Sequence, residues 1–313
     1  MIKDLLNIEG SVDDNFMVKS VEKGVSTSSN KEYFNIVLQD VTGTIDARKW
    51  DVLPGDEEII VPGAIIGVHG AVLKYRNKPQ VKINTVERVN PDLVDRSLFV
   101  ETAPLPLKDI IAQVKTLVDS IKDPDIKAVC EGVMKDNWAA YTHYPAAVTV
   151  HEAYETGLIF HCLYTCKVAL AVADLYPELF HRDYIICGTL LHDIGKVQEL
   201  SGPVQTKYTR IGKLESHIQI GAMIINAKCH ELGIPQEKTD LLTHIILSHH
   251  GQPEYGSPVV PKTADAVLVH FADDMDAKAN ILQNALKGVA PGEFTTRIQW
   301  LDGIEIYKPT FDK

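Results

Sequence analysis

Cys187-Gly-Thr-Leu-Leu-His192-Asp193-Ile-Gly-Lys196 is the stretch on which the reading of this chain turns. An apolar helical run there ends in two adjacent side chains that can hold a metal, then a glycine and a lysine. Neighbours on a helix diverge by about 100°, so His192 and Asp193 can face one ion only from a helix end. Gly195 permits the chain to leave there. The surrounding sequence is rich in the same chemistry. Of twelve histidines, only His69 lies before residue 143. His161, Glu215-Ser-His217, Ser248-His249-His250-Gly251 and His270-Phe-Ala-Asp273-Asp274-Met-Asp276 follow. Imidazole together with carboxylate suits Mn, Fe, Co, Zn or Mg better than thiolate-seeking metals.

The order His161…His192-Asp193…Asp273 resembles the HD phosphohydrolase superfamily. The resemblance implies that these four residues, drawn from three helical elements, hold an ion and leave coordination positions open for water and phosphate. Asp193 would then accept a proton as well as ligate. Superfamily members with extra histidines before the last aspartate often bind two metals, which makes His217, His249 and His250 further ligand candidates. The competing reading gives them phosphate contacts or the orientation of other ligands. Lys196 follows His192 by four residues and shares its face if the helix continues. Its cation would steady a phosphate oxygen, or else interact with a helix dipole. Lys278 and Arg210 are weaker candidates for the same task. His244 reads as structural, and His143, His181 and His230 as surface residues.

At 313 residues, two domains are expected. With 45% hydrophobic and 23% charged residues the chain reads as an ordinary globular protein. A net charge of −11 argues against bulk nonspecific nucleic-acid binding, though not against a local basic groove. The five cysteines, 130, 162, 166, 187 and 229, are odd in number, sit in apolar contexts and lack CxxC spacing. They read as buried thiols in a reducing compartment. The N-terminus has no apolar signal core and no run approaches membrane-spanning length, so a cytoplasmic location is expected.

Residues 12–90 alternate with period two between closely spaced turns. Phe16–Val21, Tyr33–Gln39, Thr44–Trp50, Ala64–Val72 and Gln80–Val86 predict five short antiparallel strands, and five strands in so short a span resemble an OB-fold barrel. If Phe34, Ile36 and Leu38 fill the barrel, Tyr33 and Asn35 face outward. On the next strand, inward Ile45 and Ala47 put Arg48 and Trp50 outside. Two exposed aromatics beside an arginine are what a stacking platform for single-stranded bases requires. Lys74, Tyr75, Arg76 and Lys78, with Lys82, form a basic hairpin where a binding loop is expected. The bland reading makes Trp50 a barrel plug and the lysines a solvated turn.

Residues 91–106 read as a linker ending in Thr102-Ala-Pro-Leu-Pro106. Helical periodicity runs through 107–290, with Asp123-Pro124 opening one helix and others at about 151–175, 182–194, 216–232, 237–249 and 263–287. The fold class is therefore multi-domain α+β, an OB-like barrel followed by an all-α helical bundle. Residues 291–313 lack periodicity and are expected to form a flexible tail.

His151-Glu152-Ala-Tyr154-Glu-Thr-Gly157-Leu158, ahead of His161, carries a more specific likeness. An OB-like barrel, this segment, Leu-Leu-His-Asp-Ile-Gly-Lys, Ser-His-His-Gly and His-x-x-Asp-x-Met-Asp-Ala-Lys, in that order, resemble YhaM-type 3′-to-5′ exoribonucleases of Gram-positive bacteria. The likeness covers about residues 12–290. It implies a metal-dependent phosphodiesterase that shortens single-stranded RNA to nucleoside monophosphates, with Mn2+ first among Mn2+, Co2+, Fe2+ and Mg2+, one or two ions per chain. It adds His151 as a site candidate. The family often has a second histidine where this chain has Glu152, and a lysine where it has Val148, which opens the question of substrate preference. Single-stranded DNA is admitted as a substrate, and a homo-oligomer is compatible with the sequence. Two competitors stand beside this reading: an HD-type nucleotide or cyclic-dinucleotide phosphohydrolase, and a nucleic-acid-binding regulator whose helical domain is idle.

Overall fold

The computed structural model describes residues 1–7, 9–26, 30–90, 93–100, 102–148, 154–204 and 206–311. The chain forms two compact units, one built on Met1–Thr102 and the other on Ala103–Gly202 with Thr206–Lys313.

In the first unit, strands β1 (Gly10–Val25), β2 (Glu32–Asp40), β3 (Gly43–Lys49), β4 (Ile65–Tyr75) and β5 (Lys78–Arg88) close a barrel in the order β1-β2-β3-β5-β4. β1 serves two neighbours. Its first half runs antiparallel to β4 and its second to β2, with a bulge between Val18 and Ser20 where it turns from one to the other. β3 and β5 are parallel, a departure from the all-antiparallel expectation that closure of the barrel requires. Inward positions alternate as expected: Phe34, Ile36 and Leu38 on β2 and Ile45 and Ala47 on β3 are buried. β1 begins six residues before the visible alternation because Asp13, Asp14 and Asn15 pair with His69, Val68 and Gly67 through the backbone. A short helix α1 (Ile2–Leu5) puts Ile2 into the barrel core, and α2 (Asp56–Ile59) occupies the expected loop after β3.

The same alternation turns Lys49 inward, where only 1% of it is exposed. A buried ammonium must be paired. Its Nζ donates to the carbonyls of Asp51 and Asn84 at 2.9 Å each and lies 3.3 Å from Asp56.

The second unit is helical: α3 (Leu107–Asp119), α4 (Pro124–His143), α5 (Gly157–Ala173), α6 (Arg182–Leu191), α7 (Lys196–Glu199), α8 (Arg210–Leu232), α9 (Gln236–Ser248) and α10 (Ala264–Lys287). α4 starts as predicted, with Asp123 accepting from the amides of Asp125 and Ile126 and proline in the first turn. α5 is buried on nearly every side and packs against α6 and α10, so the helix that carries His161 is surrounded by core. Its start at Gly157, later than the periodicity predicts, follows Thr156 in the left-handed region at φ 69°.

α8 begins six residues earlier than expected, where Thr209 caps it by accepting from the Gly212 amide. Residues 291–311 are not the flexible tail that missing periodicity predicts. Phe294 bridges Tyr307, Ile298 bridges Ile304, and Lys308 Nζ donates to the carbonyls of Leu286 and Val289. Isolated bridges leave no repeat to read in the sequence. All five cysteines are free and buried. Among the described residues no helix is long and apolar enough to cross a membrane.

Candidate metal centre

α6 ends at Leu191, and His192 and Asp193 follow as the chain leaves the helix. Both are buried, at 0% and 2% exposure. His161 comes from α5 and Asp273 from α10. His161 Nε2 lies 3.2 Å from His192 Nε2, 3.0 Å from Asp273 Oδ1 and 3.6 Å from Asp193 Oδ2. His192 Nε2 lies 3.4 Å from Asp193 Oδ2 and 3.5 Å from Asp273 Oδ1. Two imidazole nitrogens and two carboxylate oxygens thus converge on one point.

His217, His249 and His250 form a second group, with one ligand atom from each lying within 4.8 Å of the others. The other oxygen of Asp193 faces them: Oδ1 is 3.6 Å from His217 Nε2 and 3.8 Å from His249 Nε2. One carboxylate therefore addresses both groups. Asp193 Oδ1, His217 Nε2 and His249 Nε2 are buried and have no hydrogen-bond partner among the described residues. Leaving a buried donor or acceptor unpaired costs about 1–3 kcal/mol. A divalent cation coordinated there would satisfy all three, and the nitrogen and oxygen donor set suits such an ion.

The ring orientations fit this use. A histidine ligand whose Nδ1–H is engaged presents the lone pair of Nε2. Nδ1 of His161 pairs with Asp276 at 2.8 Å, and Nδ1 of His192 with the Thr189 carbonyl at 2.7 Å. His249 uses the Ile246 carbonyl, His250 the Tyr255 carbonyl and His217 the Glu199 carboxylate. His270 in turn holds the His249 carbonyl at 2.8 Å. Glu199 carries no spacing signal to His217, which is why sequence reasoning passes over it, and the stretch that holds His270 and Asp276 does not reveal their partners.

Protonation follows the same division. Burial opposes charge on Asp193, yet Lys196 and His192 hold its carboxyl well below the usual range. Asp273 is held down in the same way by His192 and His161 against its burial. Burial pulls His192 down, but Asp193 and Asp273 outweigh it and raise the imidazole to about 9, so a cation bound at Nε2 would have to displace a proton there. His249, buried beside His250 and His192, stays well below its ordinary value and is therefore neutral, as a ligand must be.

Lys196 opens α7 instead of continuing α6, and its Nζ sits 2.6 Å from Asp193 Oδ2. Its ammonium belongs to the centre and not to a helix C-terminus. Gly195 has helical angles, φ −61° and ψ −21°, so it is not there for an unusual turn. It is there for space: a Cβ would lie 1.9 Å from the His217 carbonyl oxygen. Lys278 pairs with Asp274 at 2.7 Å, and His244 Nε2 accepts from the Lys262 amide. His151 lies outside the described residues.

On the barrel, the Tyr33 and Trp50 rings lie against each other with centroids 4.9 Å apart, tilted by 39°. The Arg48 guanidinium lies 5.2 Å from Tyr33, 4.9 Å from Trp50 and 5.9 Å from Tyr75. Its Nε donates to Asn35 Oδ1 at 2.9 Å. Trp50 is 42% exposed, which sets aside the plug reading. Lys82 is the register partner of Arg48 on β5. Arg76 and Asn77, both at positive φ, make the two-residue turn of the β4–β5 hairpin, with Arg76 5.3 Å from the Tyr75 ring and Lys78 across from Tyr75. Lys74 reaches Glu9 at 3.5 Å on the surface.

Comparison with known proteins bears on both units. Residues 158–278 match the HD domain model and residues 17–89 the model of an OB-fold nucleic acid binding domain. The chain is 40% identical over 314 aligned positions to the 3′-5′ exoribonuclease YhaM of Geobacillus sp. (strain WCH70), covering 99% of this chain and 96% of that one. It is 39% identical to the YhaM exoribonuclease of Bacillus subtilis (strain 168), over 96% of each chain. That of Halalkalibacterium halodurans is also 39% identical, over 95% of this chain and 92% of its own.

Proposed function

This chain belongs to the YhaM family of 3′-5′ exoribonucleases, and from that membership we propose that it is a metal-dependent 3′-to-5′ exoribonuclease releasing nucleoside monophosphates from single-stranded RNA. The observation that carries the metal-dependent part is Asp193, buried, with one oxygen toward His161 and His192 and the other toward His217 and His249.

His161, His192, Asp193 and Asp273 would hold one divalent cation, and His217, His249, His250 and Asp193 a second. Mn2+ is the first choice, with Co2+, Fe2+ and Mg2+ as alternatives the same donors accept. Cations held there supply the Lewis acidity that lowers the pKa of water and offsets charge on the scissile phosphate. Asp193 would accept a proton from the attacking water once Lys196, whose ammonium holds its carboxyl well below the usual range, turns to the phosphate. Lys196, now paired with Asp193, has the charge and reach to swing to a non-bridging phosphate oxygen.

On the barrel, Tyr33 and Trp50 stack successive bases, while Arg48, Lys74, Tyr75, Arg76 and Lys78 line the backbone path. Stacking is indifferent to the sugar, so single-stranded DNA is included as a substrate. The working boundaries are 12–90 for the barrel and 107–290 for the hydrolase. The five buried free thiols support a reducing compartment, the cytoplasm.

The test is incubation of the protein and Mn2+ with 5′-labelled single-stranded RNA. The expected result is a ladder shortening from the 3′ end that a chelator abolishes. Intact RNA accompanied by hydrolysis of free nucleotides would transfer the reading to a nucleotide phosphohydrolase.

A further inference from the structure

His217 reaches the centre from a broken helix. At Ser216, α8 adopts φ 61° and ψ 162°, a region almost reserved for glycine. The amide of His217, the next residue, donates to Glu199 Oε1 at 2.9 Å, and His217 Nδ1 faces the same oxygen at 3.1 Å. One carboxylate oxygen thus engages both the backbone and the ring of a single residue. That fixes the ring's rotation and its tautomer, with the proton on Nδ1 and the lone pair of Nε2 toward Asp193 Oδ1.

Glu199 is itself buried and immobilised. The Thr209 amide donates to its carbonyl at 2.8 Å. Gly212 lies so close that a Cβ there would be 2.4 Å from that carbonyl oxygen. At the other end of α7, Gly195 lies against the His217 carbonyl with no room for a side chain. α7 and the first turns of α8 are therefore locked backbone to backbone, and Glu199 cannot move without moving the helix that carries His217. His249 and His250 are fixed differently, by the main-chain carbonyls of Ile246 and Tyr255. Of the three, His217 is the one whose orientation hangs on a removable side chain.

We propose that Glu199 is the positioning residue for His217 and thereby sets the cation affinity of the His217, His249 and His250 group. The inference rests on the reading of that group as a cation site. Glu199 acts through the imidazole and does not touch substrate.

Two variants separate orientation from charge and from packing. Glu199→Met keeps the volume and removes the acceptor; Glu199→Gln keeps an acceptor oxygen and removes the charge. In 15N-labelled, metal-free protein, the ring nitrogen shifts of His217 report its tautomer. Calorimetric titration with Mn2+ reports the affinity of each site. Wild type and Glu199→Gln should show His217 protonated at Nδ1, with the second ion bound comparably. Glu199→Met should show mixed tautomers and bind the second ion about 10- to 100-fold more weakly, as loss of a ligand's hydrogen-bond partner typically does. The ion at His161, His192 and Asp273 should be unaffected. Wild-type tautomer and affinity in Glu199→Met overturn the proposal. So does a loss in Glu199→Gln as large as the methionine variant's, because charge and not orientation would then be what matters. If Glu199→Met fails to fold, Glu199→Ala serves as the variant without an acceptor, with the same mixed tautomers and weakened second ion expected and the same wild-type result overturning the proposal. Should wild type bind a single ion, the cation-site reading fails, while the tautomer still judges whether Glu199 positions the ring.

Discussion

On the barrel, the polar and aromatic side chains of the binding face find one another. Arg48 donates to Asn35, lies over Trp50, Tyr33 and Tyr75, and is half-buried among them. In the helical unit the reverse holds. Asp193 Oδ1, His217 Nε2 and His249 Nε2 are buried and lack hydrogen-bond partners among the described residues. A half-exposed, self-satisfied cluster can wait for a ligand at little cost. A buried, unsatisfied one is destabilising until a guest arrives. On the function proposed above, the difference would separate two kinds of site: a surface that grips, whose loss should weaken binding, and a cavity of donors completed by cations, whose loss should end chemistry.

The largest effect should follow from breaking the shared carboxylate. Asp193→Ala removes an oxygen from each group and leaves Lys196 unpaired, so hydrolysis of RNA and of bis(4-nitrophenyl) phosphate should both fall. Losing several kcal/mol of transition-state stabilisation, at about 1.4 kcal/mol per factor of ten, makes that a thousandfold or more. Wild-type turnover on either substrate by a metal-replete variant would end the assignment.

Next in size is the barrel. Base stacking on an aromatic is worth about 1–3 kcal/mol per base. Tyr33→Ala with Trp50→Ala should therefore weaken oligonucleotide binding roughly ten- to a thousandfold and leave the small phosphodiester untouched. Trp50 is exposed and Tyr33 is half-buried on the outer face, so the barrel's thermal transition should move little. Long RNA degraded at the wild-type rate under subsaturating conditions would mean that this face does not bind the substrate.

The two units were unequally legible. Barrel interiors alternate with period two, so Phe34, Ile36, Leu38, Ile45 and Ala47 announce themselves, and the outward Tyr33, Arg48 and Trp50 follow by parity. The caps do not: α1 and α2 are four residues each, too short for a period. In the helical unit the adjacent His192-Asp193 pair points to the candidate ligands, but that Asp193 faces both groups is a matter of side-chain direction. The supports lie far off in sequence, Asp276 being 115 residues from His161 and Glu199 18 from His217. Gly195 shows the limit most clearly. Its sequence position reads as an exit from the helix, whereas its angles are helical and its smallness serves the His217 carbonyl.

A smaller effect sharpens the contrast thermodynamically. A ligand bound only by the native state stabilises it by about 2.7 kcal/mol at a hundred times its Kd. Stripping metal with a chelator should lower the melting temperature of the helical unit, and restoring Mn2+ should return it. The barrel, where the described residues include no group of three such ligand side chains, should melt at the same temperature in both states. Equal shifts in the two units, or none in the helical one, would erase the distinction between them.

The most direct test of the account is a count of metal ions per chain by elemental analysis after reconstitution and removal of free ion. Wild type should hold close to two. His217→Ala should hold close to one, because the His161, His192 and Asp273 group survives. Asp193→Ala should hold fewer than one, because both groups lose an oxygen. A single ion in wild type and His217→Ala alike would contradict the account, and would make the His217, His249 and His250 group a phosphate contact instead of a cation site.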